Sequence, residues 1–163
     1  MFSIQEQKEN LLSIVASLHE RHERSAAVSP DYFEPGMMEY LEQSEGSYNQ
    51  ISGEILIRFE AKGTRYEGRT EQLERVNLGD GLRLIRERNN VYNPNNFTIV
   101  TMKGKNVGNV PAQLCNAMAP LYDSGELIFL EASVSYLEPI SRRSRYAKQA
   151  ILFVELKASL LHP

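Results

Sequence analysis

The 163-residue chain has one cysteine, three histidines and a net charge of −3. Each scarcity excludes something. A lone Cys115 cannot close an internal disulfide, which predicts a reducing, cytoplasmic setting. His19 and His22 stand at i and i+3 in "HERHE", but no HExxH motif and no set of cysteines completes a zinc site, so neither metal nor other cofactor is expected. No stretch reaches the roughly 18 consecutive apolar residues that a membrane span needs, and no membrane partner is expected. The run "LLSIVASL" is short, follows acidic residues and precedes no small-residue cleavage site, so a signal peptide is not predicted. "GKNVGN" lacks the GxxxxGK[ST] order of a phosphate-binding loop and reads as a hairpin turn entering a strand. No enzyme motif emerges: Cys115 sits among apolar helical residues as a buried, inert thiol, and Glu71 and Glu74 read as solvated faces.

With 42% hydrophobic and 24% charged residues, the chain is globular in type and long enough for one main core. The charge is unevenly placed. Residues 1–50 hold nine acidic and three basic side chains, a net of −6, whereas residues 51–163 hold twelve and fifteen, a net of +3. This predicts an acidic helical N-terminal extension over 1–50 and a main domain over 51–163. A charge of +3 permits phosphate contacts without demanding them.

From Ile4 to about Arg24, Ile4, Leu11, Leu12, Ile14, Val15 and Leu18 recur at helical spacing without Gly or Pro, predicting an amphipathic helix. A second, shorter helix is expected in "PDYFEPGMMEYLEQSE", and "SEGSYNQISG" reads as a linker. From Glu54 the period changes to two. "EILIRFEA", "GLRLIRE", "FTIVTM", "ELIFLEASVSYL" and "QAILFVELKA" predict short strands, with "KGKN" as a turn. "PAQLCNAMAPLYDSG" interrupts them with a helix: Pro111 opens it, Leu114, Ala117, Met118 and Leu121 form its apolar stripe, and Gly125 ends it. The fold class is therefore α+β: a small, partly open OB-like β-barrel of about six strands with one or two inserted helices and a helical N-terminal arm.

Residues 89–96, "NNVYNPNN", hold five asparagines in eight positions. Asparagine builds turns, because its side chain caps neighbouring backbone amides and tolerates left-handed conformations. It also donates and accepts hydrogen bonds, as a polar binding surface would. In order along the chain, "FEAKGTRYEGR", "NLGDGLRLIRERNNVYNPNNFTIV", "VGNVP" and "LCNAMAPLYDSGE" resemble the HIRAN domain, over roughly residues 54–157. HIRAN domains occur fused to helicase-type ATPases and nucleases and as small standalone bacterial proteins. The resemblance implies a modified OB-like barrel that captures single-stranded DNA at a 3′ end, in a repair setting, without catalysis.

It further implies a site. Arg65 and Tyr66 resemble the family's Arg-aromatic pair, which contacts phosphate and stacks on a base. Asn90, Tyr92 and Asn93 resemble its Asn-x-Tyr-Asp element, with Asn93 in place of Asp, and Asn109 stands where the family has His or Tyr. Phe97 replaces a small residue. The residues alone support the same chemistry, since single strands are held by cations and by aromatic faces, each stacked base contributing about 1–3 kcal/mol. Tyr66 lies near Arg65 and Arg69, Tyr92 near Arg86 and Arg88, and Tyr146 near Arg143 and Arg145. The helix at 111–124 carries no basic residue, unlike the recognition helix of a duplex reader. Arg142, Arg143, Arg145 and Lys148 form a basic loop that is either a solvated turn or a phosphate contact.

The expected partner is single-stranded DNA or a DNA end. Two other readings stay open. The barrel could be a protein-interaction scaffold, forming a homo-oligomer through its N-terminal helix. Alternatively, the acidic arm could cover the basic face and compete with DNA.

Overall fold

The computed structural model describes residues 2–28, 37, 39–41, 46–66, 68–143 and 149–161, with the backbone alone over 19–28. His19 and His22 as side chains, most of the expected second helix, and Arg145, Tyr146 and Lys148 lie outside the described residues. The elements run α1 (Ile4–Val28), β1 (Ser47–Tyr48), β2 (Glu54–Glu60), α2 (Arg69–Leu73), β3 (Gly81–Glu87), β4 (Asn96–Thr101) and β5 (Asn106–Asn109). There follow α3 (Ala112–Asp123), β6 (Leu127–Glu138), a 3-10 turn (Ile140–Arg142) and β7 (Ile151–Leu160).

The strands form one seven-stranded sheet in the order β1-β2-β7-β6-β3-β4-β5, with every pairing antiparallel. Alternation explains which face is buried: Ile55, Ile57 and Phe59 of β2, and Leu82 and Leu84 of β3, point inward at two-residue spacing. The long pair β6–β7 changes register after Phe129 and again after Val134, and β4–β5 does so at Ile99. Such irregularities increase local twist and bend a sheet. Bending brings the far end of β5 back to the chain leaving β2, where Lys62 and Asn109 exchange both backbone hydrogen bonds at 2.8 Å. That bridge ties the β5 edge to the chain just past β2 without closing the barrel.

The structure adds a strand to the expected six. Ser47 and Tyr48, read from the sequence as part of a linker, pair with Leu56 and Ile55. The reason is a compact turn: Asn49 Oδ1 accepts from the backbone N–H groups of Ile51 (2.9 Å) and Ser52 (3.1 Å), folding "NQISG" back as a hairpin.

Helix α3 buries the predicted stripe, with Leu114, Met118 and Leu121 fully enclosed. Helix α1 lies against α3 and β2. Its Leu11, Val15 and Leu18 belong to the same core cluster as the barrel strands, so the acidic N-terminal stretch shares that core. Lys8, nearly buried, ties the helix down by donating to the Leu161 carbonyl and pairing with Glu126 at 3.2 Å. Farther on, Met37 and Leu41 pack with Ile151 and Phe153 in a second cluster, where Tyr40 stacks on Tyr136 at 5.3 Å.

Candidate functional site

Where β5 meets the end of β2, the loops after β2 and β3 face each other across a cavity of about 690 Å³. Gly63, Tyr66 and Arg69 line one side, Glu87, Asn90 and Tyr92 another, and Asn106 and Asn109 of β5 complete it.

The first loop is fixed from below. Thr64 is buried, donating its hydroxyl to the Ala150 carbonyl at 2.9 Å, while Thr70 donates to the Thr64 carbonyl at 3.0 Å. Arg69, only 7% exposed, reaches back so that Nη1 donates to the Gly63 carbonyl at 3.0 Å. This closeness explains the glycine. Gly63 has φ +67°, and a Cβ there would stand 2.8 Å from Arg69 Nη1 and 3.3 Å from Asn109 Nδ2. Tyr66 is half exposed and lies beneath Arg65, whose guanidinium carbon is 4.8 Å from the ring centroid and whose Nη2 donates to the phenol oxygen at 2.5 Å.

The asparagine-rich loop is held by its own side chains. Asn90 Oδ1 accepts from the backbone N–H groups of Tyr92 (2.9 Å) and Asn93 (3.0 Å), and Asn93 Oδ1 accepts from that of Asn95 (3.0 Å). Nδ2 of both Asn93 and Asn95 donates to Asn116 Oδ1 on α3 at 3.2 Å. Arg86 fastens the turn: its Nη1 donates to the Pro94 carbonyl at 2.6 Å, and Nε and Nη2 donate to the two carboxylate oxygens of Asp123 at 3.1 Å. Arg88 adds a bond to Asp123 at 2.8 Å. The hydrogen bond from Arg86, reinforced by both positive charges, holds the Asp123 carboxyl below its ordinary value of 3.8 despite some desolvation.

That shift has a signed consequence. A carboxyl whose folded value lies below its unfolded one stabilises the fold above the unfolded value, and the benefit is lost as pH falls through the folded value. The stability gap between the natural chain and Asp123→Asn should therefore be widest above the ordinary carboxylate value and narrow steadily as the pH falls below it. Urea unfolding across that range measures it, and a gap independent of pH would show that the pair does not hold the turn.

Asparagine oxygens are spent on architecture throughout the cavity wall. Asn106 Oδ1 accepts from the Gly108 backbone at 3.1 Å, and Asn109 Oδ1 accepts from Nδ2 of buried Asn96 at 3.4 Å. With Asn90 committed to its turn, all three lining asparagines are left with an NH2 group that has no partner among the described residues. The wall thus presents neutral donors beside the Arg69 guanidinium, and Glu87 is its one carboxylate among the described residues. Tyr66 and Tyr92, 51% and 94% exposed, supply two aromatic rings, that of Tyr66 carrying the Arg65 guanidinium on one side.

A family model of the HIRAN domain matches residues 55–153, more than half of the chain. The chain belongs to the HIRAN domain family. Among solved structures it is similar to the HIRAN domain of human HLTF, at 21% identity over 66% of this chain and 80% of that one, with a TM-score of 0.48. A Lactobacillus plantarum protein aligns at 20% identity over 64% of this chain and 99% of its own, with a TM-score of 0.47. The HLTF HIRAN domain in its DNA-bound conformation aligns at 19% identity, covering 64% and 75%, with a TM-score of 0.43. No curated protein matches the chain.

In this HIRAN domain five of the residues singled out from the sequence come together in the cavity: Tyr66, Arg69, Asn90, Tyr92 and Asn109. Arg65 joins at the rim through Tyr66. Asn93 is not a lining residue, because both ends of its amide are used to shape the turn. Arg143 is also outside the cavity, donating to the Gln149 carbonyl at 2.7 Å across its own loop. Gly63, Glu87 and Asn106 were not singled out from the sequence. Their signal is spatial, arising only when the Lys62–Asn109 bridge joins segments more than forty residues apart. Cys115 is buried, donates toward the Val110 carbonyl at 3.3 Å, and has its pKa pushed up to about 11 by burial.

Proposed function

We propose that this HIRAN domain is a non-catalytic nucleic-acid-binding module that holds single-stranded DNA, with its 3′ end, in the 690 Å³ cavity, in a DNA-repair or processing setting. One observation carries the reading: the NH2 groups of Asn90, Asn106 and Asn109, without partners among the described residues, line the same cavity as the exposed rings of Tyr66 and Tyr92 and the Arg69 guanidinium. Phosphate and base oxygens are acceptors that such donors satisfy, and the rings offer stacking platforms to any base. Family membership supports the same partner. A role without a chemical step accords with Cys115, whose protonated, enclosed thiol is a poor nucleophile. Pairing of two copies through α1 would have to use its outer face, because Leu11, Val15 and Leu18 are buried within the protomer.

Fluorescence anisotropy tests the reading with labelled single strands bearing a free or phosphate-blocked 3′ end, and with the matching duplex. The free-ended strand should bind most tightly. The salt slope should be shallow, about −0.7 per phosphate contacted, because the described lining holds only one cation. Equal binding of all three ligands would remove the end-capture reading, and absence of binding at low salt would remove the nucleic-acid reading altogether.

A further inference from the structure

The carboxylate of Glu87 is out of place in a cavity meant only for phosphate, since a negative charge in the wall repels an anion. Its surroundings show how it is held. Oε1 accepts from Nδ2 of Asn96 at 2.7 Å, and Asn96 is itself only 7% exposed. That bond fixes the carboxylate, while Oε2 has no partner among the described residues and belongs to a side chain that lines the cavity. The wall therefore offers one strong acceptor among the donors of Asn90, Asn106 and Asn109.

A base stacked on either tyrosine ring can meet the wall with its polar edge. All four bases carry at least one N–H on the Watson–Crick edge, and in a duplex that group is engaged by the opposite base. We infer that Glu87 is a specificity-determining residue that accepts this N–H from a stacked base, so that the cavity selects an unpaired base while tolerating any sequence. This inference rests on the nucleic-acid reading of the cavity. The acceptor role belongs to Oε2, and the neighbouring asparagine NH2 groups meet the acceptor atoms of the same edge. Phosphates then lie away from Glu87, toward Arg69 and the rim residue Arg65.

The test is a double cycle using the full chain, a short oligothymidylate and its fully N3-methylated counterpart, which keeps the phosphates and stacking faces but lacks the edge N–H. Glu87→Gln retains an oxygen for Asn96 and replaces the free acceptor by a donor. A hydrogen bond to a charged group supports an expectation of about tenfold weaker binding for either change alone. The two changes together should weaken binding no further than one of them. If the losses multiply, Glu87 does not read the base edge and the inference falls, while binding of oligothymidylate keeps the broader reading in place. If the natural chain binds no oligothymidylate, both fall. Should Glu87→Gln melt below the assay temperature, Glu87→Asp, which withdraws the carboxylate by one methylene, takes its place in the cycle. Losses that fail to multiply with methylation then support the inference, and losses that multiply overturn it.

Discussion

Phe97→Ala is expected to lower the free energy of unfolding by about 3–5 kcal/mol, the usual result of emptying a buried aromatic site. Phe97 is fully enclosed at the start of β4, with ring centroids of Tyr122 and Phe129 at 5.2 and 5.4 Å and the Arg86 guanidinium over its face at 5.5 Å. Removing the ring leaves a void between α3 and the sheet, directly beneath the side chain that clamps the asparagine turn. Chemical denaturation should therefore show a large loss, and oligonucleotide binding should weaken even where the variant is folded, because Arg86 loses its support. Phe97→Leu retains most of the volume and should cost less than about 1.5 kcal/mol if the surroundings repack. A Phe97→Ala loss below about 1 kcal/mol would mean that the site collapses around the gap.

The opposite separation is expected for the tyrosines. Tyr66→Ala and Tyr92→Ala remove side chains that are 51% and 94% exposed, so each should leave stability within about 0.5 kcal/mol. Each should nevertheless remove about 1–3 kcal/mol of binding, between roughly fivefold and 150-fold in affinity, if a base stacks there. Tyr66 should show the larger loss, because Arg65 lies over its ring at 4.8 Å and adds a cation beside the stack. Titrations of both variants against one short single strand, paired with melting curves, separate the two quantities. Unchanged affinity in both would leave the aromatic faces as surface features and take the stacking platform away from the cavity.

Local patterns were legible to the residue in several places. "GLRLIRE" became β3 over Gly81–Glu87 without adjustment, and the stripe of Leu114, Ala117, Met118 and Leu121 is buried as its spacing requires. These features depend on period alone. The β1 hairpin was missed because two residues are too few for a period, and its signal is the turn chemistry of Asn49. In the site, the sequence contained the right loop but not the division of labour within it. Asn90 and Asn93 look alike as letters, yet Asn93 is consumed by Asn95 and Asn116 while Asn90 keeps a donor for the cavity. Glu87 precedes Arg88 in the chain, but one side chain enters the cavity wall and the other bonds Asp123, thirty-five residues away. Which residue faces inward follows from the bend of the sheet and the bridge between β5 and the chain past β2. Spacing along the chain does not encode either.

The question of why so many asparagines gather in one loop has a physical answer in their two ends. The oxygens satisfy backbone amides and fix the turn, and at Asn90, as at Asn106 and Asn109 across the cavity, the nitrogens are left to donate. The most direct test follows the side-chain NH2 resonances of these three residues by nuclear magnetic resonance while oligothymidylate is added to the full chain. Asn90, Asn106 and Asn109 should shift together and saturate at one concentration, while Asn49 in the β1 turn stays still. Strand binding that leaves those three resonances unmoved would place the site elsewhere and contradict the account.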